Sequence, residues 1–226
     1  MDEGRRIIMN GTLYVIGVGP GDPELITIKA VNILQKADII AFPKSKGEAG
    51  IAYNIAREAV PEIEKKDALP LSFPMTKEKT VLLKAHNESA ALIAEQLEKG
   101  KDVALLTLGD PAFYSSAFYV VDILKKREYN IVVISGVPSF SSAAASLMQS
   151  LVLGDEKVLI TTPQEMDFSF KGAIVVMKVG RHLAEFKEKF AGRDVYLIEN
   201  CGMENERIYH GELPDEAGYF SLLIVK

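Results

Sequence analysis

Gly17-Val18-Gly19-Pro20-Gly21-Asp22 is the stretch of this sequence best equipped to lie against a ligand. Three glycines at every second position let the backbone turn tightly with no Cβ to hold a bound molecule away. The apolar run from Leu13 to Ile16 feeds this loop, which places it at the carboxyl end of a first strand. A strand-ending turn with no ligand explains an isolated loop of this kind equally well. Its spacing excludes the two familiar nucleotide motifs. In a dinucleotide fingerprint, G-x-G-x-x-G is followed by an acidic residue at the end of the second strand. Here the third glycine comes one residue early, and Ile39-Ile40-Ala41 runs into Phe42-Pro43-Lys44 with Asp38 at the wrong end. No Gly-Lys-Ser/Thr follows the loop, so a Walker phosphate loop fails too.

Other chemistries lack their residues. Cys201 is the only cysteine, which rules out a disulfide framework or a cysteine zinc site and suits a reducing compartment. His86, His182 and His210 are too scattered to suggest a metal and read as surface or packing residues. No Ser-His-Asp or Cys-His set is evident. A net charge of -5 and a pI near 5.4 argue against a general nucleic-acid or membrane-surface binder. No apolar run approaches the roughly 18 residues of a membrane span, and Met1 to Asn10 carries no signal-like core. With 226 residues, 48% of them hydrophobic, and a mean hydropathy of +0.10, the chain should be compact, soluble and cytoplasmic.

The elements that must position the loops alternate. Strands are expected at Leu13 to the Gly loop, Asp38 to Phe42, Ala68 to Leu71, Val103 to Leu108 and Ile131 to Ile134. Helices are expected over Thr27 to Lys36 with Ile28, Val31, Ile33 and Leu34 buried, over Ala49 to Val60, Thr76 to Lys99 and Ser115 to Lys126. The alternation implies an α/β fold with a parallel sheet, helices on both faces and a ligand site at the strands' carboxyl ends, where the Gly17 loop and Gly109-Asp110-Pro111 can meet. The second half reads as strands at Val158 to Thr161, Ala173 to Met177, Val195 to Glu199, Arg207 to His210 and Tyr219 to Val225, with one clear helix near His182 to Phe190. Strands in succession without crossovers suggest a mixed sheet. The expectation is an N-terminal domain of residues 1–136 and a C-terminal domain of residues 137–226, with their cleft as the natural pocket.

Four motifs in order then point to a family: Gly17-Val-Gly-Pro-Gly-Asp-Pro-Glu-Leu-Ile-Thr27, Leu108-Gly-Asp-Pro111 with Tyr114, Gly136-Val-Pro-Ser139, and Glu199-Asn200. The sequence resembles the tetrapyrrole methylases, two-domain methyltransferases that use S-adenosylmethionine, from about Gly11 to Lys226. Phe42-Pro43-Lys44-Ser45, Ser115 after Tyr114, Ser116, Tyr119 and Met203-Glu204-Asn205-Glu206-Arg207 look like the branch that methylates C20 of precorrin-2 or cobalt-factor II in cobalamin synthesis. Pro138-Ser139 and Cys201 depart from the wider family's usual residues.

The resemblance implies a cofactor site of Pro20, Leu108, Gly109, Asp110, Phe113, Pro138, Ser139, Met177 and Cys201, with S-adenosylhomocysteine as product and no metal. It also implies a small-molecule tetrapyrrole partner and a homodimer. Asp110, Tyr114 or water could take the C20 proton, and the sequence does not choose among them. Eight substrate carboxylates in an acidic protein require local cations. Lys44, with Ser45 beside it, Lys178 and Arg181 are the candidates, and Lys46 and Arg207 also lie near strand ends. Other activities on the same scaffold stay open: a different precorrin position, uroporphyrinogen III, or the macromolecular methylases such as diphthine synthases.

Overall fold

The computed structural model describes residues 10–44 and 50–226, and the chain divides into two compact units at Val137/Pro138.

The first unit is built on β1 (Thr12–Gly17), β2 (Ile39–Pro43), β3 (Asp67–Leu71), β4 (Val103–Thr107) and β5 (Asn130–Ile134). These make one parallel sheet in the order β3-β2-β4-β1-β5. The crossovers carry α1 (Ile28–Lys36), α2 (Ile51–Ala59), α3 (Lys79–Glu98) and α4 (Ala117–Lys125). Continuous apolar strands fit because both faces are covered. Leu13, Val15, Val103 and Leu105 pack under α3 and α4, whereas Ile16, Ala104 and Leu106 pack under α1 and α2. Helix α1 differs from expectation at its start. Thr27 caps it, its Oγ1 accepting the Ala30 N–H at 3.2 Å, and Ile28 in the first turn is 80% exposed, so Ala30 and Leu34 carry the burial. Leu83 in α3 is likewise exposed.

Carboxylates fasten the end of the sheet away from the glycine loops. Asp102 accepts the Thr12 N–H at 2.7 Å and Asp38 accepts the Asp102 N–H at 2.8 Å. Asp38 therefore belongs to the amino ends of the strands, as its place before β2 suggested.

The second unit holds β6 (Val158–Thr161), β7 (Ala173–Met177), β8 (Val195–Glu199), β9 (Arg207–His210) and β10 (Ser221–Val225) in the order β6-β7-β10-β8-β9. The β6/β7 pair is parallel and the other pairs are antiparallel, which makes the sheet mixed. One face packs on α6 (Leu183–Lys189) through Leu183, Phe186 and Phe190. The other face packs on α5 (Ser139–Ser146), whose Phe140 and Ala143 meet Val175, Ile198 and Leu222. Sequence reading missed α5. Its Ser-Phe-Ser-Ser-Ala-Ala-Ala-Ser run offers one large apolar side chain and no amphipathic stripe, so packing and the Pro138 start define it. Among the described residues, no helix is long and apolar enough to cross a membrane.

Candidate active site

Three loops knit together at the carboxyl ends of β4, β1 and β5. Gly19 and Gly109 exchange backbone hydrogen bonds, N–H to carbonyl at 3.2 Å in one direction and 2.7 Å in the other. Both have positive φ, +84° and +68°, which glycine adopts without strain. Gly136 closes the group. A Cβ there would lie 2.2 Å from the Gly109 carbonyl oxygen and 2.9 Å from the Gly17 Cα, so only a bare backbone fits.

Asp110 is the clasp. It is buried, its Oδ1 accepts the Ala112 N–H at 2.7 Å and its Oδ2 accepts the Gly136 N–H at 2.9 Å. One carboxylate thus shapes its own turn and ties the β4 loop to the β5 loop. Thr107 and Ser115 share a hydroxyl hydrogen bond at 2.8 Å, and Ser115 also accepts the Ala117 N–H at the start of α4. Asp22 accepts the Glu24 N–H at 2.8 Å, so it shapes the turn after the glycines.

The remaining expected residues of this unit sit around that knot. Pro20 is buried, Leu108 is half-buried, and Phe113 and Tyr114 are 40% and 46% exposed. Lys44 is exposed just past β2, its backbone N–H donating to the Leu71 carbonyl at 2.9 Å. Ser45 and Lys46 lie outside the described residues.

In the second unit, three of the expected cofactor residues come together. Cys201 is buried with its thiol 3.6 Å from the Ser139 carbonyl oxygen, and Met177 packs into the same cluster as Cys201 and Phe140. Pro138 precedes the first turn of α5, which Ser139 opens. Burial pushes the Cys201 thiol up to about 11, the nearby Glu206 adding to the effect and a Ser142 hydrogen bond opposing it. The cysteine serves as a small apolar residue, not as a nucleophile. Lys178 follows β7, and loss of water around its ammonium draws it below the usual lysine range. Arg181 stands exposed on the helical turn Gly180–His182.

Sequence reading missed one feature of the backbone. Tyr114, Lys178 and Asn200 have φ of 50°, 59° and 51°; Lys178 and Asn200 directly follow β7 and β8, and Tyr114 ends the turn that follows the β4 loop. A left-handed conformation costs a bulky residue about 1–3 kcal/mol, and such strain collects at functional sites. Only Asn200 carries a residue type that advertises it. Two more left-handed residues, Glu128 and Met148, end α4 and α5 with backbone bonds to Lys125 and Ala145 and need no other explanation.

The sequence profile of the family described as Tetrapyrrole (Corrin/Porphyrin) Methylases matches residues 12–216. The chain belongs to the tetrapyrrole methylases. This tetrapyrrole methylase is 37% identical over 227 residues to a probable cobalt-precorrin-2 C(20)-methyltransferase of Methanocaldococcus jannaschii, with 95% of each chain covered. It is 35% identical over 238 residues to the precorrin-2 C(20)-methyltransferase of a Sinorhizobium species, again covering 95% of each. Among solved structures, a cobalt precorrin-4 methyltransferase superposes with a TM-score of 0.73 at 21% identity, covering 95% of this chain and 94% of the other. The uroporphyrin-III C-methyltransferase of Thermus thermophilus, complexed with S-adenosylhomocysteine, superposes with a TM-score of 0.69 at 18% identity, over 95% and 92%. Both structures share the methylase's fold.

Proposed function

We propose that this methylase transfers the methyl group of S-adenosylmethionine to C20 of precorrin-2 or of its cobalt-bearing counterpart, cobalt-factor II, in cobalamin synthesis. The observation that carries the reading is the similarity to two C(20)-methyltransferases over 95% of the chain. The site's chemistry agrees with it. Methyl transfer from a sulfonium needs an aligned carbon nucleophile and little acid–base assistance, so positioning supplies most of the acceleration. The knotted loops provide a rigid surface of backbone groups, Pro20 and Leu108, whose carboxylates Asp22 and Asp110 already accept backbone N–H groups. That surface fits S-adenosylmethionine, which supplies an electrophilic methyl carbon when bound.

In the reaction, C20 shares an electron pair with the methyl carbon, the sulfur keeps the pair of the broken S–C bond, and the C20 proton leaves. With both oxygens of Asp110 on backbone amides, its role is to hold the loops, and water takes the proton. For the cofactor the reading assigns Gly109, Leu108, Pro20 and Phe113 of the first unit. Of the second unit it assigns Pro138, Ser139, Met177 and Cys201. Lys44, Lys178 and Arg181 meet substrate carboxylates. The reading includes a homodimer in the cytoplasm, for which light scattering at micromolar concentration is the check on assembly.

The test is a reaction with a cobalt isobacteriochlorin octacarboxylate and S-adenosylmethionine carrying a 13C-methyl group. The expected product gains one label, placed at the C20 meso carbon by nuclear magnetic resonance. A label at another carbon, or none alongside tight S-adenosylmethionine binding, would overturn the assignment.

A further inference from the structure

The carboxyl edge of the first sheet has two halves. The glycine knot occupies β4, β1 and β5. Beside it, α3, α4 and the end of β3 carry aromatic residues that the reading so far leaves unused.

His86, in α3, is 6% exposed, yet its ring lies parallel to that of Tyr119 in the first turn of α4, with centroids 4.6 Å apart and planes 9° apart. Phe73, just beyond β3, also meets the His86 ring, with centroids 5.9 Å apart and planes tilted by 44°. Ser89, three residues along α3, donates to the carbonyl of Ser72 at 3.4 Å, which sets this level of the helix beside the end of β3. Tyr119 itself remains 59% exposed. A tyrosine in a first helical turn is ordinarily free to swing with its rotamers. Here a buried ring fixes the plane of an exposed one. Burial pulls the His86 imidazole below the usual histidine range, so its neutral form does the stacking at neutral pH. Lys44 follows β2 at the same carboxyl edge, its N–H bonded to the carbonyl of Leu71, two residues before Phe73.

A rigid, exposed aromatic face suits a flat, conjugated molecule. We propose that Tyr119, held in plane by the buried His86 ring that Phe73 also contacts, is the platform on which the tetrapyrrole macrocycle stacks. The inference rests on the C20-methyltransferase reading and adds to it the surface that orients the macrocycle's plane. Tyr119 is a positioning residue in this scheme and exchanges no proton.

The test compares the wild-type protein with Tyr119→Phe and Tyr119→Leu, in absorbance titrations with the cobalt isobacteriochlorin and calorimetric titrations with S-adenosylhomocysteine. An aromatic face-to-face contact corresponds to roughly a two- to tenfold change in affinity. Tyr119→Leu is expected to bind the macrocycle two- to tenfold more weakly, Tyr119→Phe to bind it as the wild type does, and both to bind S-adenosylhomocysteine unchanged. Because Tyr119 is exposed, both variants should fold, and thermal melts verify that. Wild-type macrocycle affinity in Tyr119→Leu would overturn the platform while leaving the functional reading intact. Equal weakening for both ligands would also overturn it, since the residue would then act through the fold. Failure of the wild-type protein to bind the macrocycle would remove the functional reading, and the platform with it.

Discussion

Replacing Asp110 with Asn separates a loop clasp from a partner for the cofactor's positive charge. The carboxylate accepts two backbone N–H groups, at 2.7 Å from Ala112 and 2.9 Å from Gly136, and the residue is 8% exposed. An asparagine can present its one oxygen to only one of them and turns an NH2 group toward the other. The lost charge-assisted bond and the unmatched amide together cost about 1.5–3 kcal/mol. In a chain of this size each kcal/mol moves the melting temperature by about 2–4 °C, so a fall of about 3–12 °C is expected. The second measurement is the ratio of S-adenosylmethionine to S-adenosylhomocysteine affinity, because only the former carries the sulfonium charge. A clasp leaves that ratio within about twofold of wild type, whereas a charge partner worth a hydrogen bond to an ion shifts it by tenfold or more. An unchanged melting temperature together with selective loss of S-adenosylmethionine binding would refute the clasp.

Gly136→Ala should be worse still, because the new methyl meets backbone at 2.2 Å and 2.8 Å and nothing flexible can yield. A loss of about 3 kcal/mol or more is expected in urea melts, and a wild-type midpoint would contradict the described loop packing. The Cys201 thiol, raised from an ordinary 9.0 to about 11, should react with iodoacetamide at pH 8 about 100-fold more slowly in the folded protein than in urea. Equal rates in the two states would show that it is not sheltered. Asp194 is held below the ordinary carboxylate value of 3.8 by hydrogen bonds from His210 and Tyr196. Its contribution to stability is therefore complete above that value and disappears as the pH falls through the lowered folded-state value. Asp194→Asn should be less stable than wild type at pH 6, with the gap closing below about pH 4. A gap independent of pH would argue against the assignment.

The sequence disclosed the fold where one residue type could decide the matter. Val103 to Leu106 is apolar at every position because helices cover both faces of β4, and that run could be read without knowing the helices. The glycine loops were visible for the same reason, since only glycine satisfies the contacts around Gly17 and Gly136. Features that depend on a distant partner stayed hidden. Asp110 reads as a free acid until Gly136, 26 residues on, is placed against its Oδ2. Ile28 reads as core until Thr27 is seen to cap α1 and turn the first residue outward. His86 reads as a packing residue, which it is, but its pairing with Tyr119 requires two helices to be set side by side. The left-handed backbone at Tyr114 and Lys178 has no counterpart in composition, because neither residue type favours it.

The glycine knot also constrains when the site can exist during synthesis. Gly17 leaves the ribosome early, while Gly109, whose carbonyl and amide complete the pairing with Gly19, and Gly136, whose amide completes the clasp, are added about 90 and 120 residues later. At about 5–20 residues per second, the first loop waits on the order of 6–24 s for its last contact. Throughout that interval the nascent chain carries the loop's full sequence without its rigid form. The loop's fixed form therefore arrives in one late step, when β5 docks and Gly136 reaches Asp110.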